Sequence, residues 1–267
     1  MRLKIKSKRR AFLCLAALGF LAAGCATPPP PEDKEGLAEY NQINDPLEPL
    51  NRTIFDFNDT VDVYVLRPAA QGYRAVVPPF GRDRVADFLD NLKSPLYFAN
   101  DLLQGNPGQA GTTVARALLN STFGVLGVMD VAKHMGISGH KSDLGQTLGS
   151  WGMEEGPYLV LPFYGPSNPR DTAGMIAESF GDGLDIYLQD NHLRWVSWTR
   201  MGLSGLSMRE AYLDPLDDVK RTSLDYYSAM RSLYRQRRAA QVNDAIHPGQ
   251  PGQHPQMTQK TDPAKSR

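Results

Sequence analysis

Prolines and glycines fall at the edges of apolar-periodic segments along this chain, so it can build only a succession of short and medium helices. In Asp45-Pro46-Leu47-Glu48, Asp supplies an N-cap, Pro the first helical position and Glu the third. Leu47, Leu50, Ile54, Phe57, Val61 and Val65 then recur at spacings of three and four, with Arg52, Asp56, Asp59 and Asp62 on other faces. Arg67-Pro68 ends that helix or starts the next, which Pro78-Pro79 closes. Amphipathic segments over 82–92 and 95–104 are split by Ser94-Pro95. Gly105-Asn106-Pro107 is a stop and restart before a helix over 109–123. Ser142 is expected to cap a short helix in SDLGQTLGSWG, and Asn168 the helix that follows. Two more helical segments cover about 192–213 and 216–241. The expectation is a mainly α single domain over 45–243, with at most a short β-hairpin or extended segment near 157–163.

That extended segment is GPYLVLPFYGPSNPRD, residues 156–171, an apolar run with Pro162 inside it. It is too short to cross a bilayer and too rich in proline for a central helix. Two readings stand. It packs into the core, or Tyr158, Phe163 and Tyr164 meet a membrane interface, where aromatics with a polar tip sit comfortably.

Charge is unevenly placed. The 267 residues carry 29 Lys and Arg against 29 Asp and Glu, yet six of the cations lie before residue 11 and no acid precedes Glu32. Without those six the remainder is acidic by six charges, which disfavours a nucleic-acid partner. MRLKIKSKRR followed by AFLCLAALGFLAAG has the three-part form of an export signal over residues 1–24. It ends in Leu21-Ala22-Ala23-Gly24-Cys25, a lipobox-like sequence that marks Cys25 for acylation. The other cysteine, Cys14, lies inside the signal, so the mature chain would have no disulfide and no cysteine metal site. Ala26 after the acylated Cys fits an outer-membrane address, and several acyl chains anchor firmly at about 0.8 kcal/mol per buried CH₂. Residues 25–44 read as a Pro-led polar tether, and 244–267 as a disordered tail.

Catalytic motifs are sparse. Ser138-Gly139-His140-Lys141 matches S-x-x-K without its supporting K-T-G, and neither G-x-S-x-G nor H-E-x-x-H occurs. No Walker loop or dinucleotide fingerprint is present, so no cofactor is expected and the chain is read as a non-enzyme. Membrane chemistry is better represented. Arg194, Trp195, Trp198 and Arg200 set two indoles beside two guanidiniums, suited to an interface; the alternative is that both indoles anchor the core. In GVLGVMDVA, residues 124–132, Gly124 and Gly127 either admit a close neighbour or form a hinge that includes Leu126.

An ordered set of short motifs adds to this reading. Asp45-Pro46-Leu47-Glu48, Asn51-Arg52-Thr53, Phe57-Asn58, Leu103-Gln104-Gly105, Leu119-Asn120-Ser121-Thr122, Asp130-Val131-Ala132, Leu144 to Gly149 and Leu161-Pro162-Phe163-Tyr164-Gly165 together resemble the MlaA (VacJ) family of outer-membrane lipoproteins. The likeness runs over about 45–238, although Tyr226 stands where the family often has proline. It implies a helical, ring-like, non-catalytic protein in the inner leaflet of the outer membrane. Such a protein removes mislocalised phospholipids from the outer leaflet through an amphipathic channel. It passes them to a periplasmic lipid carrier of the MlaC type and associates with a porin trimer. Ile54, Asp56, Phe57 and Asn58 are the candidate channel residues beside the Gly124–Gly127 segment. The alternative is a non-catalytic scaffolding lipoprotein that supports porins without moving lipid.

Overall fold

The computed structural model describes residues 45–248 continuously, together with 29, 30, 32, 33, 36, 37, 40 and 43 before them. The expected export segment, Cys25 and the tail from 249 onward lie outside the described residues. The elements are α1 (Glu48–Val61), a π-helical turn (Asp62–Leu66), α2 (Arg67–Val76), α3 (Pro79–Asn91), α4 (Ser94–Leu103), α5 (Pro107–Thr122), α6 (Val131–His134) and α7 (Leu144–Ser150). They are followed by β1 (Leu159–Leu161), β2 (Gly165–Ser167), α8 (Pro169–Gly181), α9 (Gly183–Asp190), α10 (Arg194–Ala211), α11 (Leu213–Thr222) and α12 (Tyr226–Ile246).

Packing neighbours close into a circuit. α1 meets β1, which pairs with β2; β2 meets α12, α12 meets α7, α7 meets α4, and α4 meets α5. From α5 the circuit passes to α3, α10 and α2, and returns to α1 through the π turn, while α11 bridges α2, α10 and α12. Among the described residues no helix is long and apolar enough to cross a membrane.

Prolines open half of these helices, as their fixed φ and missing N–H allow: α1, α2, α3, α4, α5 and α8 each carry Pro within the first two positions. At Arg67-Pro68 the chain neither stops nor restarts. It widens into the π turn, closed by the Arg67 N–H donating to the Asp62 carbonyl, and so admits the proline without a break. Asn168 caps α8 as expected, accepting from the Asp171 N–H at 2.8 Å. The cap of α7 is Asp143 rather than Ser142: its carboxylate accepts from the Gln146 N–H at 2.9 Å, while the Ser142 hydroxyl accepts from Gln104. The segment expected over 216–241 is two helices broken at 223–225, α9 adds a helix, and α12 runs to Ile246, past the helix end expected at 241 and the domain end expected at 243.

Asp45 does not cap α1, which starts at Glu48 after an uncapped Leu47. Its buried carboxylate instead accepts from the Asn51 amide at 2.8 Å, from Arg231 at 2.7 Å and from the Tyr227 hydroxyl. These charge-assisted bonds are stronger than a cap and tie α1 to α12. Asn51 also grips the hairpin. Its Nδ2 donates to the Tyr158 carbonyl at 2.9 Å, and its Oδ1 accepts from the Val160 N–H at 2.9 Å. Two turns later Asn58 repeats the pattern, with Nδ2 to the Leu161 carbonyl at 2.9 Å and the Phe163 N–H to Oδ1 at 2.8 Å. Seven helical residues rise about 10.5 Å and three extended ones about 10 Å, so the two amides pair with one strand in register.

The strands pair antiparallel, Leu159 with Ser167 and Leu161 with Gly165. Over them sits a small aromatic core of Phe55, Tyr158, Val160 and Tyr227, with Ile54, Tyr226, Met230 and Tyr234 against it. The rings meet edge to face, Phe55 on Tyr227 at 5.4 Å and Tyr158 on Tyr227 at 6.1 Å. The α1 face that reaches this core runs through Asn51 and Phe55; Phe57 and Val65 of the apolar stripe are exposed.

A second polar junction joins α7, α8 and α12. Arg238 donates to both Asp143 oxygens at 2.7 and 2.5 Å and to Asp171 at 3.0 Å. Gly145 lets this happen, since a Cβ there would lie 2.4 Å from the Arg238 guanidinium. Burial pushes the Asp143 carboxyl up, but hydrogen bonds and charge from Arg238 outweigh it and hold the group below its ordinary range.

Replacing Asn51 by Ala leaves the Val160 N–H and the Tyr158 carbonyl without partners in a buried site. Denaturant unfolding should show a loss of about 1–3 kcal/mol, with faster amide exchange at Val160. Arg238→Met removes the cation of Asp143, while Asp171 keeps Arg170 at 3.0 Å, and should cost about 3 kcal/mol at pH 7. Asp143 stabilises the native protein above about pH 4, the unfolded carboxylate value, and that stabilisation fades as the pH falls through the depressed folded value. In the variant Asp143 loses the cation that held its value down, and burial raises it instead. Its deficit against the wild type, followed by unfolding at several pH values, should therefore shrink between pH 7 and pH 5.

Candidate functional site

A cavity of about 500 Å³ opens between the end of α3, the hairpin tip and helices α8, α9 and α10. Leu89 and Lys93 come from α3 and the turn after it, Tyr164 from the hairpin tip, Ser179 from α8, and Asp185 and Gln189 from α9. Helix α10 supplies Arg194, Ser197, Trp198, Arg200, Met201 and Ser204. Residues 194, 197, 198, 201 and 204 follow helical spacing and present one mixed face, half polar and half apolar. The size is that of an organic ligand site, and the walls join indole, thioether and leucine side chains to hydroxyls and cations.

Arg200 braces the α9–α10 corner. It reaches Asp182 at 2.5 Å and Asp185 at 2.9 Å, and Asp182 also caps α9 through the Leu184 N–H at 3.1 Å. Burial works against its charge, but the two carboxylates prevail and raise the guanidinium above its ordinary value. A second, polar cavity lies among Asp87, Asn91, Arg116, Asp130 and His140. It measures about 30 Å³, too small for an organic ligand, and two of its groups are held in pairs: Arg116 reaches Asp130 at 2.7 Å, and His140 reaches Asp101, outside the lining, at 2.8 Å. Lys141 of the S-x-x-K match lies 3.3 Å from Asp90.

Three of the expected interface residues, Tyr164, Arg194 and Trp198, meet at the larger cavity. Trp195 and Trp198 are 66% and 67% exposed, so neither is a core anchor, and Trp195 lies off the cavity face. Tyr158 is corrected: at 2% exposure it belongs to the core beneath the hairpin and cannot touch an interface. Phe163 is exposed, held at φ 66° by the Asn58 bond, and its ring meets Phe57 edge on at 5.3 Å. Ile54 packs on the core and Asn58 clamps the hairpin, so neither lines the cavity; Asp56 is exposed on α1. Sequence reading missed Leu89, Lys93, Asp185, Gln189 and Met201. Stepping by three and four from Arg194 would have reached Met201, whereas the others arrive from distant segments.

Gly124, Leu126 and Gly127 lie in the loop between α5 and α6. Val125, Leu126 and Gly127 all take positive φ, at 54°, 57° and 90°, and Val125 and Leu126 are exposed. A Cβ on Gly124 would fall 2.1 Å from the Met129 carbonyl oxygen, and one on Gly127 would strike the Asn91 side chain at 2.3 Å. Both glycines are thus required by close approach, and valine at either position would disrupt the loop instead of leaving the fold intact. Gly124→Ala should lower the melting temperature well below that of Gly105→Ala. At Gly105, φ is 72° but no atom stands in the way, so alanine there costs about 1 kcal/mol.

The MlaA lipoprotein family model matches residues 43–241. The Escherichia coli intermembrane phospholipid transport system lipoprotein MlaA is 35% identical over 84% of this chain and 86% of its own length. Its Haemophilus influenzae namesake is 31% identical over 91% and 92%. A solved structure reported as a structural basis for maintenance of bacterial outer membrane lipid asymmetry superposes with a TM-score of 0.64 at 34% identity. That alignment covers 74% of this chain and 99% of the other. Match length, identity and superposition agree: this chain belongs to the MlaA lipoprotein family.

Proposed function

We propose that this protein is an outer-membrane lipoprotein, anchored through acylated Cys25, that moves phospholipid between membranes and so maintains outer-membrane lipid asymmetry. The single observation that carries the reading is the mixed cavity, where Trp198, Met201, Leu89 and Tyr164 lie beside Lys93, Arg194 and several hydroxyls. A two-tailed amphiphile needs that combination: apolar walls for the chains and polar or cationic groups for the head. Exposed apolar side chains on separate elements, among them Phe163 at the hairpin tip, Leu126 in the α5–α6 loop and Phe180 on α8, suit a protein seated in a lipid leaflet. The relatives named as intermembrane phospholipid transport lipoproteins support the same reading.

Transport of this kind makes and breaks no covalent bond; the protein supplies a path and a site. Lipid leaving the outer leaflet enters the cavity and is handed to a soluble periplasmic carrier, and a porin trimer holds the ring in the membrane. The test is genetic and chemical. In a strain lacking the protein, outer-leaflet labelling should reveal excess surface phospholipid, which the wild type corrects and Cys25→Ala does not. Normal outer-leaflet composition in the deletion strain overturns the proposal. Purified acylated protein that binds porin but carries no lipid, even with the carrier present, would establish a scaffold instead.

A further inference from the structure

Most cations in this fold are spoken for. Arg52 meets Asp225 at 2.6 Å, Arg74 meets Glu210 at 2.8 Å, Arg209 meets Asp62 at 2.6 Å, and Arg231 meets Asp45 at 2.7 Å. Among the described residues Lys93, Lys133, Arg194 and Arg237 break the pattern, and of these Lys93 and Arg194 alone line the larger cavity. Neither of the two has a described carboxylate within ion-pair distance. The cavity's one carboxylate, Asp185, is committed to Arg200 at 2.9 Å. Arg200 shared between Asp182 and Asp185 leaves one net negative charge at that corner, so with Lys93 and Arg194 the site is net positive by one, and its two cations without an ion pair stand beside an apolar wall.

Their placement argues against a stabilising role. Arg194 is the first residue of α10, where the helix dipole disfavours a cation, and Lys93 stands exposed in the α3–α4 turn. A cation with no carboxylate partner that lines a ligand-sized cavity is available for the ligand.

Resting on the phospholipid reading above, we propose that Lys93 and Arg194 are a phosphate-binding pair that makes the cavity favour lipids of net negative headgroup over zwitterionic ones. A zwitterionic headgroup brings its own ammonium, which neutralises the phosphate internally and is repelled by two cations. An anionic headgroup presents its phosphate charge uncompensated, so both cations gain by approaching it. Arginine offers a planar fork for two phosphate oxygens, and lysine adds a mobile point charge. Ser197, Ser204 and Gln189 can hydrogen-bond the hydroxyls of a glycerol headgroup, while Trp198 and Met201 meet the start of the acyl chains.

The experiment incubates the acylated full-length protein with vesicles of equal phosphatidylglycerol and phosphatidylethanolamine and measures the ratio of the two lipids it carries away. Wild type should favour phosphatidylglycerol, and Lys93→Gln with Arg194→Gln should lower that ratio about five- to tenfold at low salt, an effect that shrinks as ionic strength screens the charges. Lys93→Arg with Arg194→Lys should restore the preference. Arg237→Gln removes a cation outside the cavity, one that bonds the Tyr212 hydroxyl at 2.9 Å, and should leave the ratio unchanged. An unchanged ratio in the double Gln variant overturns the pair's role while leaving transport intact. Loss of bound lipid on adding millimolar inorganic phosphate shows a free-phosphate site and overturns the lipid assignment. Wild-type protein that takes up no lipid of either kind overturns the phospholipid reading and this one with it.

Discussion

The buried carboxylate of Asp45 is the joint on which the circuit of helices depends. It binds the first helix through Asn51 and the last through Tyr227 and Arg231, and Asn51 at once holds the hairpin between them. A buried charge is costly unless every lone pair is met, and here three donors meet it. Asn51 divides its amide between this carboxylate and the Tyr158 carbonyl, and Arg231 also lies 3.5 Å from Glu48. Removing any one donor leaves a buried lone pair of the carboxylate unmet. The two ends of the domain are thus held in one arrangement by a few directional bonds beside the small core of Phe55, Tyr158, Val160 and Tyr227.

That reliance on polar joints agrees with where the apolar surface lies. Tyr158, Phe55, Val160 and Tyr227 form the tight core, whereas many large apolar side chains stay outside. A protein seated in a lipid leaflet gains little by hiding such groups from its surroundings, because acyl chains are as apolar as leucine. Association of the helices then falls to hydrogen bonds, ion pairs and close glycine contacts. Gly145 and Gly174 show the last of these: a Cβ on Gly174 would lie 2.5 Å from the Gly145 nitrogen, so α7 and α8 touch backbone to backbone. The mixed face of α10 can consequently line a cavity without being consumed by packing.

Local chemistry was legible where its partners are local. Proline at helix starts, Asn168 as a cap and a hairpin or extended segment near 157–163 follow from φ restriction, a side chain reaching three residues ahead, and turn formers bracketing an apolar run; the second strand, Gly165–Ser167, lies beyond that range. The misreadings share one cause. Asp45 reads as a cap until partners 182 and 186 residues away claim it, and Arg67-Pro68 reads as a break until a wider turn absorbs it. The apolar stripe on α1 sends Ile54 to the core and leaves Phe57 and Val65 exposed, while Asn51 and Phe55 are its buried residues, because the strand it packs against offers backbone amides. For the cavity, the α10 contribution was partly visible in Arg194 and Trp198. Lys93, Asp185 and Leu89 carry no signal of their own, and only their convergence gives them meaning.

From the sequence alone follow a mainly helical chain punctuated by proline, a short hairpin or extended segment near 157–163, and, through ordered motifs, a family resemblance. Those follow from backbone sterics, from periodicity and from short-range motifs, which are written within a few residues. Only the tertiary structure decided which polar residues close the circuit, which apolar residues stay exposed, and which cations remain unpaired around the cavity. Each of those is a property of groups far apart in the chain, settled by whether a complementary charge or amide arrives from another element.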